Sequence, residues 1–112
     1  MSTKAPECWA SDASAKLLRI EVSPEKSLLL KLDQLIFAEF EIVEKEQRLR
    51  LAFATHEVVV RGHALRRVET AMQRLELSYL ACCPPKLIAS MNDGQPVIRD
   101  IRVSEVADSA AA

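Results

Sequence analysis

Glycine is almost missing from this chain: Gly62 and Gly94 are the only two. Neither stands in a G-x-G or P-loop setting, so the backbone cradles that glycine-rich loops form around phosphates are excluded. Aromatic residues are nearly as scarce, with Trp9, Phe37, Phe40, Phe53 and Tyr79 the whole set. Modules that stack single-stranded RNA spend exposed rings on it, whereas Phe40, Phe53 and Tyr79 fall at positions read here as core. No apolar run approaches the roughly 20 residues of a membrane span. The opening MSTKAPECWASDAS has no apolar core of a signal peptide. The net charge of −1 gives no overall pull toward nucleic acid or an anionic membrane, and no membrane partner is expected. The three cysteines are an odd number without a framework spacing. They are expected to be free thiols, which points to a reducing compartment and a cytoplasmic protein.

What is present is ordinary for a globular protein: 112 residues, 49% apolar and 28% charged. That is room for one domain with one core. The expected division is a mobile tail over 1–14, a single α+β domain over 15–104 and a second mobile tail over 105–112. Seven acids and three lysines fall in residues 21–46, then six arginines and three glutamates in 48–76. Cross-strand pairing within one fold accounts for that asymmetry.

The stretch from Arg48 to Leu80 organises the rest. Leu49, Leu51 and Phe53 alternate with Arg48, Arg50 and Ala52; after Thr55-His56, Val58 and Val60 alternate with Glu57, Val59 and Arg61. A period of two rich in β-branched residues is the strand signal. With a two-residue turn at Thr55-His56, Phe53 faces Val58 and Leu51 faces Val60. With a four-residue loop at 44–47, Ile42 faces Leu49, Glu41 faces Arg50 and Phe40 faces Leu51. The expectation is an antiparallel meander near 37–61, with strands at 37–43, 48–54 and 57–61.

Gly62 is read as a sharp exit at positive φ. The period then changes to 3.6: Leu65, Val68, Met72, Leu75 and Tyr79 form one stripe, predicting a long helix over about 64–81 packed on one face of the sheet. Pro84 and Pro85 are its stop. Ser23-Pro24-Glu25 carries helix-start chemistry, an N-cap serine followed by proline. A second short helix near 24–35 therefore fits, and so does a strand over Leu28–Leu32. Lys16–Val22 and Val97–Val103 read as first and last strands.

The chemistry-bearing residues form no strong constellation. His56, His63 and the cysteines are the only metal-like set, yet Cys82-Cys83 lacks the C-x₂-C spacing that suits one tetrahedral ion. His56 and His63 have only Glu57 beside them as a partner for acid–base work. No catalytic residue, cofactor or metal is expected. Residues 57–69, EVVVRGHALRRVE, resemble the second Sm motif of the Sm/LSm RNA-binding proteins, where a strand ends in an I-R-G-type triplet. The glycine- and aspartate-bearing first motif is absent, and a long helix is read where that fold has a short final strand, so no residue role is transferred.

The leading expectation is a non-enzymatic module for protein interaction or self-assembly. One helix covers one face of the sheet. On the other, Val43, Ala52 and Val59 should form an apolar patch among Glu41, Arg50 and Arg61, suited to another copy of the chain or another protein. Two alternatives are nucleic-acid binding through Arg48, Arg50, Arg61, Arg66 and Arg67, and metal or enzyme chemistry at His56, His63 and the cysteines.

Overall fold

The computed structural model describes residues 8–84 and 94–106. It is mainly β. The strands are β1 (Trp9–Ser11), β2 (Leu17–Ser23), β3 (Lys26–Lys31), β4 (Leu35–Val43), β5 (Glu46–Phe53), β6 (His56–His63), β7 (Leu77–Ala81) and β8 (Val97–Glu105); one helix, α1 (Arg66–Gln73), lies between β6 and β7. Two four-stranded sheets result. One is mixed, in the order β1-β7-β2-β3 with β2 and β7 parallel; the other is antiparallel, in the order β4-β5-β6-β8. Buried side chains from both sheets and the helix form one core cluster, among them Leu18, Ile20, Leu49, Leu51, Val58, Val60, Met72 and Leu80.

The α+β class and the meander stand, with corrections. The β4–β5 turn is Glu44-Lys45, both at positive φ (51° and 70°), which closes the hairpin in two residues rather than four. Phe40 therefore faces Leu49 and Glu41 faces Arg48. Likewise Leu51 faces Val58 and Leu49 faces Val60. Both registers differ from expectation by two residues. A slip of two returns every side chain to the same face, so the inside and outside of the meander are as read.

The helix is much shorter than 64–81. It spans eight residues and ends in a Schellman motif with Leu75 at the left-handed position (φ 56°). Glu76 N–H donates to Ala71 O at 2.8 Å and Leu75 N–H to Met72 O at 2.9 Å, satisfying the last carbonyls. Leu75 is consequently exposed, while Leu77 and Leu80 are buried on β7. At its start, Leu65 N–H donates to Gln47 Oε1 at 2.6 Å, tying the helix to the meander. The exit from β6 falls on Ala64 (φ 57°), not on glycine. Gly62 lies within β6, where a Cβ would overlap the carbonyl oxygen of Val97.

No second helix forms over 24–35. Ser23 pairs with Lys26 across a hairpin, and Ser23 Oγ accepts the Glu25 N–H at 3.3 Å. The serine caps an amide as its chemistry suggests, but in a turn. A 3-10 turn, Leu32–Gln34, leads into β4.

Residues 1–7 of the expected amino-terminal tail lie outside the described residues; within the rest of it Trp9 pairs with Leu80 and Ala10 with Tyr79. Cys8 is joined to Cys83 by a disulfide, with Cα atoms 5.3 Å apart. Three free thiols were expected; Cys82 alone is free. Pro85 and residues 107–112 of the expected carboxy-terminal tail lie outside the described residues.

Candidate interaction surfaces

The outer face of the meander is built by alternation. Leu49, Leu51, Phe53, Val58 and Val60 point into the core, so Arg48, Arg50, Ala52, Glu57, Val59 and Arg61 point away from it. β4 adds Phe37, Glu39, Glu41 and Val43, and β8 adds Asp100, Arg102 and Ser104.

All six expected interface residues (Glu41, Val43, Arg50, Ala52, Val59 and Arg61) occupy this face. They do not form one apolar row. Val59 stands between Arg50 and Arg102, Ala52 between Phe37 and Glu57, and Val43 opposite Glu46. Between them run ion pairs: Arg48–Glu41 at 3.1 Å, Arg50–Glu39 at 3.5 Å, Arg50–Glu57 at 3.4 Å, Arg61–Asp100 at 3.4 Å and Arg102–Asp100 at 3.4 Å. Of these pairs Arg48–Glu41 is also a hydrogen bond, whereas Arg50 Nε and Arg61 Nε lack a hydrogen-bond partner among the described residues. Such half-exposed pairs add little stability, but they occupy the charges within the chain.

That distribution divides the arginines once grouped as a nucleic-acid surface. Arg48, Arg50 and Arg61 belong to the ionic face. Arg66 pairs with Glu69 at 3.0 Å and lies over the Phe40 ring, 3.9 Å from its centroid. Arg66 and Arg67 also line a cleft with Trp9 and Arg74. The metal-like set is not gathered either. His56 and His63 stand at opposite ends of β6, and two of the cysteines are bonded to each other. Among the described residues no group of three or more His, Cys, Asp or Glu is placed to hold a metal ion. No helix among them is long and apolar enough to cross a membrane.

The surface that the sequence reading missed is an edge. Among the described residues the four sheet edges are β1, β3, β4 and β8. β1 has three residues; β3 has six and is flanked by Lys26 and Lys31; β8 carries Arg99, Arg102 and a register irregularity. Short length, charge and bulges are the usual defences of a free edge. β4 has few of them. It is nine residues long, LIFAEFEIV, with no Lys, Arg or Pro. Ile36 is 68% exposed, Ile42 63% and Phe37 44%. Its two acids, Glu39 and Glu41, face arginines of β5. A single irregularity at Ile36 leaves Phe37–Val43 regular.

No family model, curated protein or solved structure matches this chain.

Proposed function

We infer that the protein is a self-assembly module whose contact is β4: the strand pairs antiparallel with β4 of a second copy, joining two meanders into one continuous sheet. The observation that supports this most is the combination on β4 of length, regularity and apolar exposure without a basic residue or proline. An edge strand has a row of N–H and C=O groups facing outward, and another extended strand satisfies them best. A symmetric copy supplies one with the same twist and length. The meander's outer face supports assembly less well, because its charges are already matched across β4, β5, β6 and β8.

The test is the solution mass of three proteins by sedimentation equilibrium at tens of micromolar. The wild type is expected as a dimer. Ile42→Glu, at a side chain already exposed in the single copy, is expected as a folded monomer. Val59→Glu, between Arg50 and Arg102, is expected to stay dimeric. A wild-type monomer overturns the reading, and a Val59→Glu monomer with a dimeric Ile42→Glu moves the contact to the outer face.

A further inference from the structure

A second surface is chemically unlike β4. The cleft between β1 and α1 has a volume of about 390 Å³, and Trp9, Arg66, Arg67, Thr70 and Arg74 line it together with Glu76. Arg67, Thr70 and Arg74 follow one another at helical spacings of three and four, so Arg67 and Thr70 share one face of α1 and Arg74, its C-cap, continues that face. Two guanidinium groups and a hydroxyl are thereby set along about two turns of helix. None of these three side chains makes a hydrogen bond or ion pair among the described residues. This contrasts with Arg48, Arg50, Arg61 and Arg66, each of which has a carboxylate within 3.5 Å.

Trp9 supplies the other half. It is half-buried, held by the pairing of β1 with β7 and by the neighbouring Cys8–Cys83 bond. Among the described residues no ring or guanidinium stacks on it, although Arg50 and Arg66 each lie over a phenylalanine elsewhere. A fixed indole beside Arg67 and Arg74, neither paired among the described residues, offers a flat apolar surface and a forked anion clamp within one cleft. Base stacking on an aromatic ring with arginine contacts to phosphate is the chemistry that recognises nucleotides and single strands.

We propose that this cleft binds a phosphate ester carrying an aromatic base, with the base against Trp9 and the phosphate between Arg67 and Arg74, the Thr70 hydroxyl donating to it. A free nucleotide and a single-stranded oligonucleotide share this chemistry. The proposal does not rest on the dimer.

Trp9 is the only tryptophan in the chain, so its fluorescence reads the site directly. The full-length protein is titrated at low salt with adenosine monophosphate, an eight-nucleotide oligothymidylate, adenosine and inorganic phosphate. Quenching is expected with one or both of the first two, at lower concentration than with adenosine. A response to the mononucleotide identifies a nucleotide site; a response to the oligonucleotide alone identifies a single-strand site. The double substitution Arg67→Gln/Arg74→Gln is expected to weaken binding at least tenfold. Arg99→Gln, exposed on β8 and no part of the cleft, is expected to leave it unchanged. Glu76→Gln, which removes the cleft's carboxylate, is expected to tighten it. No quenching by either nucleotide probe at millimolar concentration overturns the proposal. So does an equal loss of affinity in Arg99→Gln and the double variant, which would mean diffuse charge attraction.

Discussion

Glu39 Oε1 stands 3.5 Å from Arg50 Nε, so among the described residues the middle of the edge strand β4 carries a carboxylate matched from one side only. Any antiparallel overlap of β4 centred on Glu39 or Phe40 brings Glu39 beside Glu39 or Glu41 of the second copy. Opposed like charges on paired strands cost roughly 0.2–1 kcal/mol per pair. Glu39→Gln is therefore expected to tighten the dimer a few-fold. Sedimentation at a series of concentrations measures this. Weakened association in this variant would mean that Glu39 makes an attractive contact across the interface, contrary to strand pairing.

The exit from β6 predicts two opposite glycine effects. Gly62→Ala pushes a Cβ into the Val97 carbonyl and should cost about 1–3 kcal/mol or more. Ala64→Gly removes a left-handed alanine and should gain up to about 1 kcal/mol. Denaturant unfolding of the two variants gives the comparison. Equal destabilisation would mean that the left-handed turn is not at Ala64.

The end of α1 predicts an inversion of what a long helix would give. Leu77→Ala, at a fully buried position, should cost about 2–5 kcal/mol. Leu75→Ala should cost less than about 0.5 kcal/mol. Leu75→Gly should raise stability slightly, because glycine accepts φ 56° without penalty. A Leu75→Ala loss as large as that of Leu77→Ala would restore the long helix.

Much of this fold was legible because alternation fixes faces. Leu49, Leu51 and Phe53 announced an inner face, and a slip of two residues could not disturb it. The slip itself was hidden. Glu44 and Lys45 adopt the positive φ that usually marks Asn or Gly, so nothing in the letters showed a two-residue turn. β7 was misread for a different reason. Its pairing with β1 is irregular at Ser78, which leaves the buried Leu77 and Leu80 three apart, a helical spacing inside a strand. The Cys8–Cys83 bond joins residues 75 apart in sequence, and no local pattern signals it. The β4 edge needed strand order, a tertiary property; its only sequence cue was the lack of Lys, Arg and Pro in LIFAEFEIV. Trp9 could not be placed in the cleft while 1–14 was read as a tail.

The disulfide predicts one free thiol, not three, when the oxidised protein is denatured and titrated without reductant. Closing a loop of 75 residues is worth about 4.5 kcal/mol in the chain-entropy account, so reduction should lower the unfolding midpoint markedly. Three thiols in unreduced protein would contradict the bond. The remaining thiol, Cys82, is exposed, yet partial desolvation of its sulfur pushes its pKa up and disfavours the thiolate; a backbone hydrogen bond at Ile101 opposes the rise and Asp100 adds to it. Alkylation proceeds through the thiolate. The rate at Cys82 should therefore reach half its maximum at a higher pH in the folded protein than in urea.

Self-pairing of β4 is tested most directly by a thiol cross-link within that strand. Glu39→Cys is made in a Cys82→Ser background, leaving Cys8–Cys83 intact, and treated with a short bis-maleimide. Glu25→Cys, in the β2–β3 turn, is the control. Antiparallel pairing predicts a covalent dimer for Glu39→Cys on a reducing gel and little for Glu25→Cys. Equal and low cross-linking of the two would contradict it.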